Sequence, residues 1–303
     1  MLLQALPLAV LLAAAQAPED GPGRVDVLPS PDTPPRPSER LMAYAGEHVS
    51  VRYAPGALDR ALHVTNRLDL VVGELEKWLD MSLPLTALVL DRAEWDRAAL
   101  TRPYGLPLPL SIGSVAVPGV GDAGTVRKWK TWLGTELPPV GGVPLVGTAE
   151  QASTLLLADV FLQVEVCEQL LSRTALARSD PWIRGVLSHL AALSLWNDNE
   201  PSRSAELIMI FTRLRGQIPP LLAFEAERLR KGEPRLTTER WLLAEAHLFE
   251  GASVAHAAGG SKTFKKLLKT MRKGEAPTRG QVLAVYPGLG TWLEALPAEA
   301  GIR

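Results

Sequence analysis

Two glutamates three residues apart, Glu165 and Glu168, sit in an otherwise largely apolar run, VFLQVEVCEQLL. On a helix this spacing sets both carboxylates on one face. Carboxylates so placed can act as a general base or as metal ligands. The histidine that could join them is His189, since none lies between His63 and His189. Five histidines and one cysteine in 303 residues leave few ways to build a metal or nucleophile site. A single cysteine excludes an internal disulfide framework and any Cys-rich zinc module. His247 and His256 are nine residues apart; at about 900° of helical turn they fall on opposite faces and cannot be a ligand pair on one helix. His48 and His63 lie in or beside the first strand and helix, with no partner legible. Cys167, mid-helix between apolar turns, reads as a small buried hydrophobe rather than a nucleophile. The run GVGDAG at 119–124 has no GK[ST] after it and reads as a loop, and no G-x-S-x-G occurs.

The elements that must position these residues follow from hydrophobic periodicity. Val49, Val51 and Tyr53 alternate with polar neighbours and predict a strand. Val64, Leu68, Val71, Leu75 and Trp78 predict a helix over 61–79. Apolar runs at 84–90 and 111–117 predict two more strands, with a short helix or turn around Trp95 and a proline-rich loop over 103–109. Residues 119–147 read as irregular, with a short helical piece carrying Trp129 and Trp132. Beyond Thr148 the pattern is helical throughout: 150–171, then from Asp180-Pro181 to about Trp196, 202–215, 220–230, 238–257, 261–272, 282–286 and 290–296. Lys262, Lys265, Lys266, Lys269, Arg272 and Lys273 form a solvated face opposite Phe264, Leu267, Leu268 and Met271. Strands with one helix come first, helices afterwards. This predicts an α+β fold, a small mixed N-terminal sheet followed by a mainly helical C-terminal part.

Lys and Arg total 32 against 33 Asp and Glu, so the formal charge is −1 and nucleic-acid binding is not indicated. Residues 1–17, MLLQALPLAVLLAAAQA, have the length and small-x-small ending of a signal peptide and are too short to span a bilayer with margin. Residues 18–38 carry seven prolines and read as a stiff linker. The expected organisation is a signal peptide at 1–17, a linker at 18–38, an α/β subdomain at 39–148 and a helical subdomain at 149–303. The expected location is outside the cytoplasm, periplasmic or secreted, with no integral membrane span after cleavage.

Val164-Glu165-Val166-Cys167-Glu168, then sixteen residues, then Gly185 within Pro181-Trp182-Ile183-Arg184-Gly185 resembles the peptidase MA-like (gluzincin) metallopeptidases. Those proteins carry HExxH on one helix and Pro-Trp-x-x-Glu-Gly opening a following helix. GEHVSVRY with the next helix and PLTALVL is similar to the family's N-terminal strand–helix–strand. LLAEAHLFEGASVAHAAGGSKTFKKLLKTMRKGEAP and GLGTWLEAL are similar to its closing helices. The likeness covers most of 40–297 and implies a zincin-like fold. It also implies a role for each position: the two histidine ligands fall on Val164 and Glu168, the base on Glu165, and the third ligand on Gly185. Zinc would need the histidines that are missing, so the resemblance implies the peptidase's shape with a degraded site.

The expectation is therefore an exported, catalytically inactive metallopeptidase-like protein that binds a peptide or protein. Glu165 occupies the retained base position. Glu168, Gly185, His189 and Trp182 are groove candidates, and no metal or other cofactor is expected. Two alternatives stand beside it. One is a hydrolase whose zinc has moved to Glu165, Glu168 and His189, the last one helical turn beyond Gly185. The other is a helical cell-envelope scaffold unrelated to peptidases.

Overall fold

A computed structural model describes residues 40–98, 102–134, 136–137, 147–219, 237–272 and 274–296. The signal segment, the linker, the helix expected at 220–230 and Lys273 lie outside the described residues. The described residues form a five-stranded mixed sheet followed by helices, an α+β fold.

Strand β1 (Met42–Ala45) pairs antiparallel with β2 (Val49–Tyr53). Helix α1 (Leu58–Leu79) then crosses to β3 (Leu85–Leu90), which lies parallel to β2. After the short α2 (Arg92–Arg97) come β4 (Leu108–Ser111) and β5 (Ser114–Pro118). The sheet order is β1-β2-β3-β5-β4, so the three central strands are parallel and both edges antiparallel. β4 falls within and just beyond the stretch expected to be a proline-rich loop. Pro109 is tolerated because β4 is an edge strand, and the register shifts between Pro109 and Ser111.

The sheet buries both faces by alternation. Ala87, Val89, Val115 and Val117 join the main core, while Leu88, Leu90 and Ala116 meet Trp95 and Tyr104 on the other side. Trp95 and Tyr104 pack edge to face at 5.5 Å. Helix α3 (Ala123–Leu133) is capped by Asp122 and carries Trp129 and Trp132 into the main core.

Helix α4 (Ala149–Leu171) begins at a capping box of Thr148 and Gln151. It is buried almost all round, as its lack of a polar face demands. Helix α5 (Pro181–Asn199) packs beside it and α6 (Pro201–Gln217) follows directly. Pro181 takes the first helical position of α5, but Asp180 makes no side-chain cap bond.

The two helices expected at 238–257 and 261–272 are one run, α7 (Thr238–Arg272), broken at Gly260 with φ 56° and ψ −166°. That backbone region is open in practice only to glycine. Before the break α7 packs on α5 and α6; beyond it Phe264 meets Trp78 of α1 edge to face at 6.2 Å. Lys265 lies 4.5 Å over the same indole and 3.2 Å from Asp198. Two short helices, α8 (Arg279–Val285) and α9 (Gly288–Ala295), close the described chain. One cluster of buried side chains runs from the sheet through α1, α4, α5 and α7. Among the described residues no helix is long and apolar enough to cross a membrane.

Candidate functional site

Three helices and one loop bring a set of ionisable groups into the core. α4 supplies Glu165 and Glu168, α5 supplies His189, and α7 supplies Glu245. Arg102, on the loop before β4, reaches across 63 residues of sequence to pair through Nη1 with Oε1 of Glu165. The same Nη1 donates to the Pro107 carbonyl at 2.8 Å, and the guanidinium stacks 4.1 Å over the Trp241 ring. Glu165 is only 6% exposed. Burial raises its pKa to about 7; the Arg102 charge opposes that rise, while Glu168 and Glu245 add to it.

Glu168 keeps some exposure, yet lies among dense neighbours. Burial lifts its pKa, Glu245 adds to this, and His189, Arg184 and Arg102 oppose it. His189 is buried; its Nδ1–H donates to the Gly185 carbonyl at 2.9 Å. Its Nε2 lies 3.2 Å from Oε2 of Glu245, off the line of a good hydrogen bond. Burial works against protonating this ring, but Glu245, the Gly185 carbonyl and Glu168 together hold its pKa above the ordinary 6.5.

The positions that the resemblance assigns to zinc ligands do not fit the ion. Val164 is 1% exposed and apolar. Gly185 has no ligand to offer, and a Cβ built there would lie 2.7 Å from Cδ1 of Leu248 on α7. Aromatic rings close the remaining space: Phe211 and Phe249 stack at 4.1 Å, with His189 at 6.0 and 6.3 Å from them. Among the described residues no group of three or more His, Cys, Asp or Glu is arranged to hold a metal ion. Trp182 is buried beside Trp292, their ring centroids 6.4 Å apart. Burial drives the Cys167 thiol far above its ordinary pKa of 9.0, so it stays protonated and inert.

Beside Arg102 opens a cleft of about 360 Å³, lined among others by Arg92, Lys128, Trp132 and Glu239. Trp132 Nε1 donates to Glu239 at 3.2 Å. The cleft mixes cations, the carboxylates of Asp96 and Glu239 and aromatic surface, the lining that peptide backbones and side chains need.

A second buried ionic group was not legible. Asp159 of α4 accepts both terminal nitrogens of Arg60, at 2.9 and 2.6 Å, and lies 2.9 Å from Nε2 of His63. Arg60 Nε also donates to the Pro118 carbonyl at 3.2 Å. Burial would raise the Asp159 pKa, but Arg60 and His63 outweigh it and hold the carboxyl well below the usual range. The sequence did contain a clue: Asp159 stands within LLLADVFLQ, and a carboxylate in so apolar a run needs a cationic partner. Glu245 and Arg102 carried no such mark. Comparison with protein-family models finds no match, and comparison with curated proteins finds none either.

Proposed function

We propose that this chain is an exported, catalytically inactive protein of peptidase MA-like descent that binds a peptide or protein without cutting it. The observation that carries this reading is the fate of the base position. Glu165 is closed off by Arg102 instead of facing water, and Leu248 takes the space next to position 185 where the third zinc ligand would stand. A carboxylate tied to a guanidinium, beside ligand positions that Val164 and Gly185 cannot fill, is not arranged to deprotonate a metal-polarised water. Support for the descent is the packing of α4 beside α5, against a mixed sheet. Support for binding is the cleft over Arg102, which remains open while the catalytic position is filled.

One feature favours the relocated-metal reading: His189 spends Nδ1 on a carbonyl, as metal-ligating histidines do. Elemental analysis of the purified full chain separates the two. The binding reading expects no stoichiometric zinc, selection of peptides from a display library, and loss of that selection in Lys128→Glu. Stoichiometric zinc that EDTA removes overturns it.

A further inference from the structure

A second cavity, of about 280 Å³, lies between α1 and the end of α5. It shares no lining residue with the cleft over Arg102. Its charged members are already matched. Arg67 lies 3.5 Å from Glu200 and its Nε is buried, and Asp159 behind the wall holds Arg60 in two hydrogen bonds. The groups left open are neutral, and most of them accept. His63 Nε2 lies 2.9 Å from Asp159. A carboxylate only accepts, so the ring proton sits on Nε2 and the neutral ring presents Nδ1 as an acceptor. Among the described residues Nδ1 has no hydrogen-bond partner, and it is not buried. Asn199 spends Nδ2 on the Leu195 carbonyl at 2.9 Å, which leaves Oδ1 to accept. Asn66 is exposed, one turn beyond His63, and has no hydrogen-bond partner among the described residues, so its amide offers both a donor and an acceptor. Gln163 is taken up by the Ala192 carbonyl and by Arg67. Leu70, a further turn along α1, is 42% exposed and adds apolar surface beside Trp196.

We infer that this cavity is a binding site for a neutral sugar ring, a monosaccharide. A wall with matched charges and a surplus of acceptors fits a ligand that carries no net charge and brings several O–H donors. Sugar hydroxyls would donate to His63 Nδ1 and Asn199 Oδ1, and one more would both donate to and accept from the Asn66 amide. The C–H face of the ring would lie on Leu70 and the edge of Trp196. The volume is small for a ligand pocket and suits a single ring. Asp159, clamped by Arg60, fixes the His63 ring, so this acceptor is set before the ligand arrives. The site does not depend on the function proposed above.

The test is ligand-observed NMR titration of the full chain with the methyl glycosides of glucose, galactose and mannose, and with cyclohexanol and benzylammonium. At least one glycoside binds saturably, and tighter than cyclohexanol or benzylammonium. Asn66→Leu, at an exposed position of α1, weakens that binding by about tenfold, and so does His63→Phe. Four results overturn the site: no glycoside binds saturably, a folded Asn66→Leu binds as the parent does, a folded His63→Phe binds as the parent does, or cyclohexanol or benzylammonium binds tighter than every glycoside. If His63→Phe does not fold because Asp159 loses a partner, Asn66→Leu decides alone.

Discussion

Arg102 covers Glu165: a loop guanidinium closes over a carboxylate buried on α4. The pair holds the loop before β4 onto α4, and above its raised pKa of about 7 Glu165 is charged beside two further carboxylates. Removing the cation alone strands that charge. Arg102→Met is expected to cost about 2–4 kcal/mol at pH 8. Adding Glu165→Gln should recover much of the loss, because the stranded charge is gone. Urea unfolding of the two single variants and the double variant gives the coupling.

The same carboxylates set a pH dependence. Glu165 and Glu168 have folded pKa values above the ordinary 4.5, so the folded state holds more protons than the unfolded one. Their contribution is full below about pH 4.5 and is lost as pH rises toward 7. His189 acts in the same sense, its contribution present below 6.5 and lost above. Asp159 acts oppositely, stabilising above 3.8 and losing its effect as pH falls below that. Stability should peak in mildly acidic solution and fall by a few kcal/mol by pH 8. Urea midpoints at pH 3, 5, 6.5 and 8 check this; a maximum at pH 8 would contradict it.

Gly185→Ala probes the close approach of α5 and α7. A new Cβ meets Leu248 at 2.7 Å, and the overpacking should outweigh the gain in helix propensity, for a net loss of about 1–2 kcal/mol. Leu248→Ala in the same background should relieve the clash at the expense of lost burial. The melting temperatures of the set show whether the two positions are coupled.

Asp159→Asn leaves Arg60 buried with a neutral partner. A loss of about 3–5 kcal/mol is expected, against a much smaller effect for His63→Gln, whose side chain is 21% exposed. Chemical denaturation at pH 7 ranks the two.

Cys167 should resist thiol reagents in the native protein and react at once in denaturant, since it is buried and its thiol is held protonated. Native-state labelling at a rate set by reagent diffusion would show that α4 opens readily.

The helices around the glutamates were legible because apolar periodicity and capping signals act within a few residues. The 150–171 and 181–196 patterns correspond to α4 and α5, and the gap between the helices expected at 238–257 and 261–272 falls on the break in α7. Strand β4 was not legible, because the prolines in and before it suit a loop and only its position at a sheet edge makes Pro109 tolerable. Glu165, Glu168 and His189 were visible as a set. Arg102 and Glu245 were not, because tertiary packing alone brings a loop cation and a distant helix to them. His63 looked partnerless for the same reason, since Asp159 lies 96 residues away.

The single backbone angle at Gly260 has a further consequence. A straight helix of 35 residues would run about 50 Å and overshoot the core it covers. Turned at that point, one segment serves as a strap: its first arm lies on α5 and α6, and its second arm buckles onto Trp78 and Asp198. A side chain larger than hydrogen at 260 would strain that turn and loosen the second arm, and with it the contact between α7 and α1.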